Sequence, residues 1–231
     1  MGLVKRATIA IVCFIFFFTA CFFSAEEPKT QSVSVGVGKI KKVIIDAGHG
    51  GFDGGAVADD GTPEKDINLE IAKKLAAILR FNGYTVIMTR TEDTATNTEE
   101  GSIASRKKSD MRERLRIINE NPDAIFVSVH LNKFTTSSAR GTQVFYSPNT
   151  LESKDLGQSI QTSVKNLLQP ENTRTIKQGT KSTYLLHNAK IPAVIVECGF
   201  LSNPVEFEKL KNDEYRSQMA FSIFVGIEEF N

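Results

Sequence analysis

The chain is poor in cysteine. Of its three, Cys13 and Cys21 fall in an apolar N-terminal stretch, so Cys198 is the one thiol of the body. That excludes an intramolecular disulfide there, and a single unpaired thiol suits burial. An excess of charge is also lacking. Setting aside Lys5 and Arg6 of the N-terminal stretch leaves 26 basic residues against 27 acidic ones. The body therefore offers no argument for nucleic acid as a partner, which would call for a basic face. No internal repeat is visible. The glycine-rich segment from Gly48 to Gly55 has neither the G-x-G-x-x-G order nor the G-K-[ST] ending of a phosphate-binding loop. Histidine is scarce, at three in 231 residues.

What is present is an ordinary globular balance, 41% hydrophobic and 24% charged, at a length that fits one α/β domain behind a short leader. Met1 to Arg6 carries two positive charges, and Ala7 to Ala25 carries none. Residues 1–25 read as an export signal or a membrane anchor with its basic flank on the cytoplasmic side. Phe23-Ser24-Ala25 is a poor cleavage site, and Phe18 spoils the lipoprotein-like Thr19-Ala20-Cys21, so a retained anchor is favoured. Residues 26–40 are polar and read as a tether. The folded domain is expected over 41–231.

Within it, apolar runs alternate with helical periodicity. Strands are expected at Val43–Ile45, Tyr84–Thr89, Ala124–Val129, Gly141–Tyr146 and Ala193–Val196. A helix follows the glycine loop, with Thr62 as its cap and Pro63 at its first position, and stops at Asn82-Gly83. Thr91 to Ser105 reads as a surface loop and Arg106 to Asn119 as a charged helix. Further helices are expected from Ser153 to Leu168, from Pro204 to Leu210 and from Glu214 to Phe230. Asn172 to Asn188 reads as irregular. The alternation implies an α/β fold: a single-domain, twisted, mostly parallel sheet with helices on both faces. Right-handed crossovers then bring the strand carboxyl ends to one edge, where ligands bind in such sheets.

His49, His130 and Glu197 each terminate an apolar strand. A carboxylate directly after four apolar residues is paired, hydrogen-bonded or functional, because burying it alone is costly. The third histidine, His187, sits in an irregular polar segment and reads as structural. Two imidazoles and a carboxylate suit Zn²⁺ with a fourth position for water. Spacing leaves the carboxylate open among Asp46, Asp53, Asp59, Asp60, Glu64 and Glu197. Asp46 is a candidate to orient a zinc histidine. Asn132 would orient His130, touch substrate or cap a turn. Arg90 and Arg140 flank strand ends, where they would meet anionic substrate groups or form surface ion pairs. Cys198, next to Glu197 on a strand, should point to the opposite face.

Four segments carry a family resemblance: Ile45-Asp-Ala-Gly-His-Gly-Gly51, Glu64-Lys65, Ser128-Val-His-Leu-Asn132 and Val196-Glu-Cys-Gly-Phe-Leu-Ser-Asn203. In this order they resemble the zinc-dependent N-acetylmuramoyl-L-alanine amidases, over nearly everything from Lys41 onward. The resemblance implies hydrolysis of the amide between the muramic acid lactyl group and L-alanine of peptidoglycan. It also implies one Zn²⁺ held by His49, Glu64 and His130, with Glu197 as the catalytic carboxylate. The loop glycines would then give a bulky substrate access to the metal. The Gly101–Asn119 insert, and the absence of a wall-binding repeat, resemble the sporulation members of the family. These imply a place in the spore cortex, as the first step toward the muramic-δ-lactam needed at germination. They further imply an exported enzyme on the extracytoplasmic face of the membrane, in the forespore intermembrane space. An activating spore-envelope protein is one means of control among several. A non-catalytic peptidoglycan-binding scaffold and a different zinc peptidase are the competing readings.

Overall fold

The computed structural model describes residues 40–231. The expected leader, and the tether apart from its last residue, lie outside them. Among the described residues no helix is long and apolar enough to cross a membrane.

Six strands form one sheet: β1 (Lys42–Ala47), β2 (Thr85–Met88), β3 (Ala124–Asn132), β4 (Gln143–Tyr146), β5 (Lys177–Gln178) and β6 (Ala193–Phe200), in the order β2-β1-β3-β6-β4-β5. All neighbouring pairs are parallel except β4 with β6. The helices are α1 (Glu64–Phe81), α2 (Ile103–Asn119), α3 (Leu151–Leu167), α4 (Tyr184–Asn188), α5 (Pro204–Lys211) and α6 (Asp213–Phe230). The mostly parallel sheet expected from the sequence is present. The exposed, polar β5 has no apolar signature, and α4 spans only five residues.

Strand alternation sorts the side chains into two layers. Val43, Ile45, Val127, Val129, Val194, Val196 and Cys198 belong to the larger core, with α1, α3, α5 and α6. Ile44, Phe126 and Ala193 belong to a smaller one with Ile118 of α2 and Leu185 and Leu186 of α4. Because both faces are covered, the central strands read as continuous apolar runs. Asp46, Ser128, His130 and Glu197 share the α2–α4 face by the same alternation. Cys198 lies opposite, fully buried, as expected.

Four helix starts differ from the sequence reading, those at Leu151 and Asp213 by only two residues and one. Helix α1 begins at Glu64, after an extended Pro63 with no side-chain cap. The Val57–Pro63 bridge and the hydrogen bond from Glu64 N to Ala56 O (2.8 Å) hold Pro63 outside the helix and leave Thr62 too far back to cap it. Helix α2 begins at Ile103, because the Ser102 side chain accepts from Ser105 N at 3.2 Å and caps it.

Candidate metal and catalytic site

The glycine loop leaves β1 and turns back across the carboxyl end of β3, where Gly48 N donates to Val129 O at 3.1 Å. His49 has φ 63°, a left-handed conformation rare outside glycine. Two guanidinium groups hold this backbone. Arg114 Nη2 donates to His49 O at 2.7 Å, and Arg90 donates through Nε to Ala47 O and through Nη2 to Gly48 O, at 2.9 and 3.0 Å.

Residues far apart in sequence then converge. His49 Nε2 lies 3.3 Å from Glu64 Oε2, and His130 Nδ1 lies 3.0 Å from Glu64 Oε1. The two rings meet edge to face at 4.9 Å between centroids. One ligand atom from each of His49, Glu64 and His130 can be chosen so that all lie within 4.8 Å of one another. Glu64 is further pinned by donors: Leu131 N (3.0 Å) and Asn68 Nδ2 (3.1 Å) to Oε1, and Ala56 N (2.9 Å) to Oε2. Asn68 is one helical turn beyond Glu64, on the same face.

The donor set fits a borderline ion such as Zn²⁺, and the glycines make room for the side chains that would hold it. A Cβ on Gly48 would lie 2.3 Å from the His130 ring, and one on Gly55 would lie 2.6 Å from both His49 and Glu64. These glycines therefore admit the ligand side chains. They do not serve the substrate access expected from the sequence. Gly50 likewise faces inward, where a Cβ would meet Thr94 O at 2.3 Å.

Charges within the group are strongly coupled. Burial pulls the His49 imidazole down, but its hydrogen bonds to Asp53 and Glu64 prevail and carry it up to about 9. His130 is raised in the same way, burial opposing and Glu64 prevailing. Burial alone would raise Glu64, but the two histidines hold it well below the carboxylate range.

Glu197 sits on β6 in register with His130 of β3. Its Oε2 is buried without a hydrogen-bond partner among the described residues. Burial, aided by the Glu64 charge and opposed by the two histidines, pushes its carboxyl up to about 7. A carboxyl there can hold or release a proton near neutral pH.

Other candidates fall elsewhere. Asp46 does not reach a histidine. It is buried against Arg114 and accepts from Thr89 Oγ1 (2.7 Å) and Ser128 Oγ (2.6 Å), and Asp53 is the residue that bonds His49, at Nδ1 (2.8 Å). Arg90 is buried and spends its donors on the carbonyls of Ala47, Gly48, Glu92 and Lys65, so it clamps the loop and is not free for substrate. Asn132 does not orient His130, whose Nδ1 partner is Glu64; its carbonyl accepts from Leu201 N (2.8 Å) just past a register shift in the sheet. Exposed Arg140 lines a hollow with Glu171, Asn203, Val205, Glu206 and Lys209, a group that includes no member of the metal cluster. His187 is exposed on α4, apart from the cluster. The sequence reading missed Arg114 and Lys107, which the charged pattern of α2 hid among solvated residues.

Comparison with known proteins shows the family and the fold. The family described as N-acetylmuramoyl-L-alanine amidase matches residues 43–229. The germination-specific N-acetylmuramoyl-L-alanine amidase of Bacillus subtilis is 34% identical over 220 residues, 95% of this chain and 90% of that protein. The CwlD amidase of Clostridioides difficile, solved in complex with the GerS lipoprotein, superposes with a TM-score of 0.79 at 38% identity, covering 82% of this chain and 98% of that one. An N-acetylmuramoyl-L-alanine amidase from Clostridium difficile 630 gives a TM-score of 0.71 at 31% identity, covering 83% and 97%. This chain belongs to the N-acetylmuramoyl-L-alanine amidase family and is a peptidoglycan amidase.

Proposed function

We propose that this amidase works with one Zn²⁺ held by His49, Glu64 and His130, and that it acts on spore cortex peptidoglycan. The bond cut is the amide joining the muramic acid lactyl group to L-alanine. The observation that carries the reading is the His49–Glu64–His130 cluster beside a Glu197 whose Oε2 has no hydrogen-bond partner among the described residues. When bound, Zn²⁺ supplies an acidified water and a Lewis acid for the scissile carbonyl. Glu197 takes the proton of the attacking water and returns it to the departing alanine nitrogen, which cannot leave as a free amide anion.

The cortex role is supported by the relatives named germination-specific amidase and CwlD. In that role the freed lactyl carboxylate is the first product toward the muramic-δ-lactam. A lipoprotein partner is proposed by likeness to the CwlD complex with GerS. Residues 1–25 would direct export or anchor the enzyme, which then works outside the cytoplasm.

The test is product analysis. Purified full-length enzyme with zinc should release L-alanine amino termini from peptidoglycan and leave the glycan strands intact. Chelation should stop the reaction, and added zinc should restore it. New termini at another bond, or turnover insensitive to chelator, would refute the assignment.

Proton competition gives a second expected result. In the metal-free protein hydrogen bonds to Asp53 and Glu64 carry His49 up to about 9, so its imidazole holds a proton at pH 7, and Glu64 raises His130 as well. Zinc must displace those protons, so acid weakens binding. Titration at pH 7 in buffers of different ionisation enthalpy should show about one to two protons released per zinc, with affinity falling about tenfold per pH unit for each. Affinity independent of pH between about 6 and 8 would contradict it.

A further inference from the structure

His49 turns Nε2 toward Glu64 and Nδ1 toward Asp53 Oδ2, at 3.3 and 2.8 Å. Among the described residues the other oxygen of Asp53 meets Lys107 Nζ of α2 at 2.9 Å, and otherwise only Gly55 N at a long 3.4 Å. Paired hydrogen bonds between Gly50 and Asp53, at 2.9 and 3.0 Å, fix the Asp53 backbone. Its side chain is thus held by a cation on one oxygen and directed at an imidazole with the other.

An imidazole that ligates a metal through one nitrogen carries its proton on the other. A carboxylate accepting that proton fixes both tautomer and ring plane. Here the Nδ1–H of His49 would donate to Asp53, leaving the Nε2 lone pair directed at the Glu64 side of the cluster. Without Lys107 the Asp53 carboxylate could rotate about its side-chain torsions toward solvent.

We propose that Lys107 is a positioning residue of the metal centre, acting through Asp53 on His49. The inference rests on the zinc reading of the cluster. It gives the charged helix α2 a role apart from touching an anionic substrate, which is the use that a basic run near the site would otherwise suggest.

The test uses the full-length enzyme and the variants Asp53→Asn, Lys107→Met, Lys107→Arg and the double variant Asp53→Asn/Lys107→Met. Lys107 is 52% exposed, and exposed ion pairs contribute little to folding, so its variants should melt as the parent does. Zinc affinity is read by competition with a chromophoric chelator. Asp53→Asn should weaken it by about 10–100-fold. Lys107→Met should weaken it several-fold and shift the visible spectrum of the Co²⁺-loaded protein, and Lys107→Arg should recover most of the loss. The double variant should bind no more weakly than Asp53→Asn alone, because Lys107 acts only through Asp53. Additive losses would overturn the proposal. So would wild-type zinc affinity in Lys107→Met with a raised KM, the signature of a substrate contact. A parent enzyme that takes up no zinc would instead sink the metal reading, and this inference with it.

Discussion

Replacing Glu197 by Gln should lower amide hydrolysis by about 10²–10⁴-fold while zinc uptake and folding persist. The substitution keeps the shape and removes only the ability to take and give a proton at Oε2. Glu197 is outside the ligand cluster, so the metal should remain. The stability change also has a definite sign in the metal-free protein. Burial raises the Glu197 carboxyl to about 7 in the fold, whereas an unfolded glutamate ionises near about 4.3. Its contribution to stability is thus present below about 4.3 and lost as pH rises through about 7. At pH 8 the Gln variant should therefore be at least as stable as the parent, measured by thermal melting. Native turnover in this variant would remove Glu197 from the mechanism, and a loss of zinc would recast it as part of the metal site.

The largest stability effect is expected at Arg114. Its guanidinium is buried and binds Asp46, Asp110, Ala47 O and His49 O. Changing it to Leu strands a buried carboxylate, which costs about 3–5 kcal/mol. That corresponds to a melting temperature lower by roughly 6–20 °C for a domain of this size. The deficit should narrow in acid. Burial would raise Asp46, but Arg114, joined by His130 and the Ser128 and Thr89 hydroxyls, outweighs it and holds the carboxyl at about 2. The paired form therefore contributes above about 4, its unfolded value, and that contribution is lost as pH falls through about 2. In Arg114→Leu the stranded Asp46 takes up a proton at higher pH, so the gap between variant and parent closes on acidification. An unchanged melting temperature at pH 7 would mean that Asp46 is neutral or satisfied by Ser128 and Thr89 alone.

The sheet was legible in the sequence because its central strands are apolar on both faces and end abruptly at polar residues. His49, His130 and Glu197 could be placed at one edge from topology alone. Glu64 could not. It opens a helix, and nothing in its spacing separates it from Asp53 or Asp60; only the family resemblance singled it out. The residues around the cluster were harder still. Asp46, Arg90 and Arg114 are charged groups buried inside the fold, and a periodicity argument assigns charge to solvent. Arg114 lies on a helix whose other faces are solvated, so its burial shows only once α2 is docked on the strand that carries Asp46. The glycines misled for a related reason: a glycine-rich turn signals a close approach, but not whether substrate or a side chain makes it.

The two unequal cores have a consequence for how long the enzyme stays active. The larger core, under α1, α3, α5 and α6, holds most of the buried apolar side chains packed on the sheet. The groups that brace His49 come instead from α2, which rests on the smaller core and on polar contacts. Partial opening free energies follow such differences in buried apolar contact. The α2 layer is therefore expected to open at a lower free energy than the sheet, and such an opening would take Arg114 and Lys107 away from the centre. On heating, loss of activity should then precede loss of the fold, the active site having the shorter half-life.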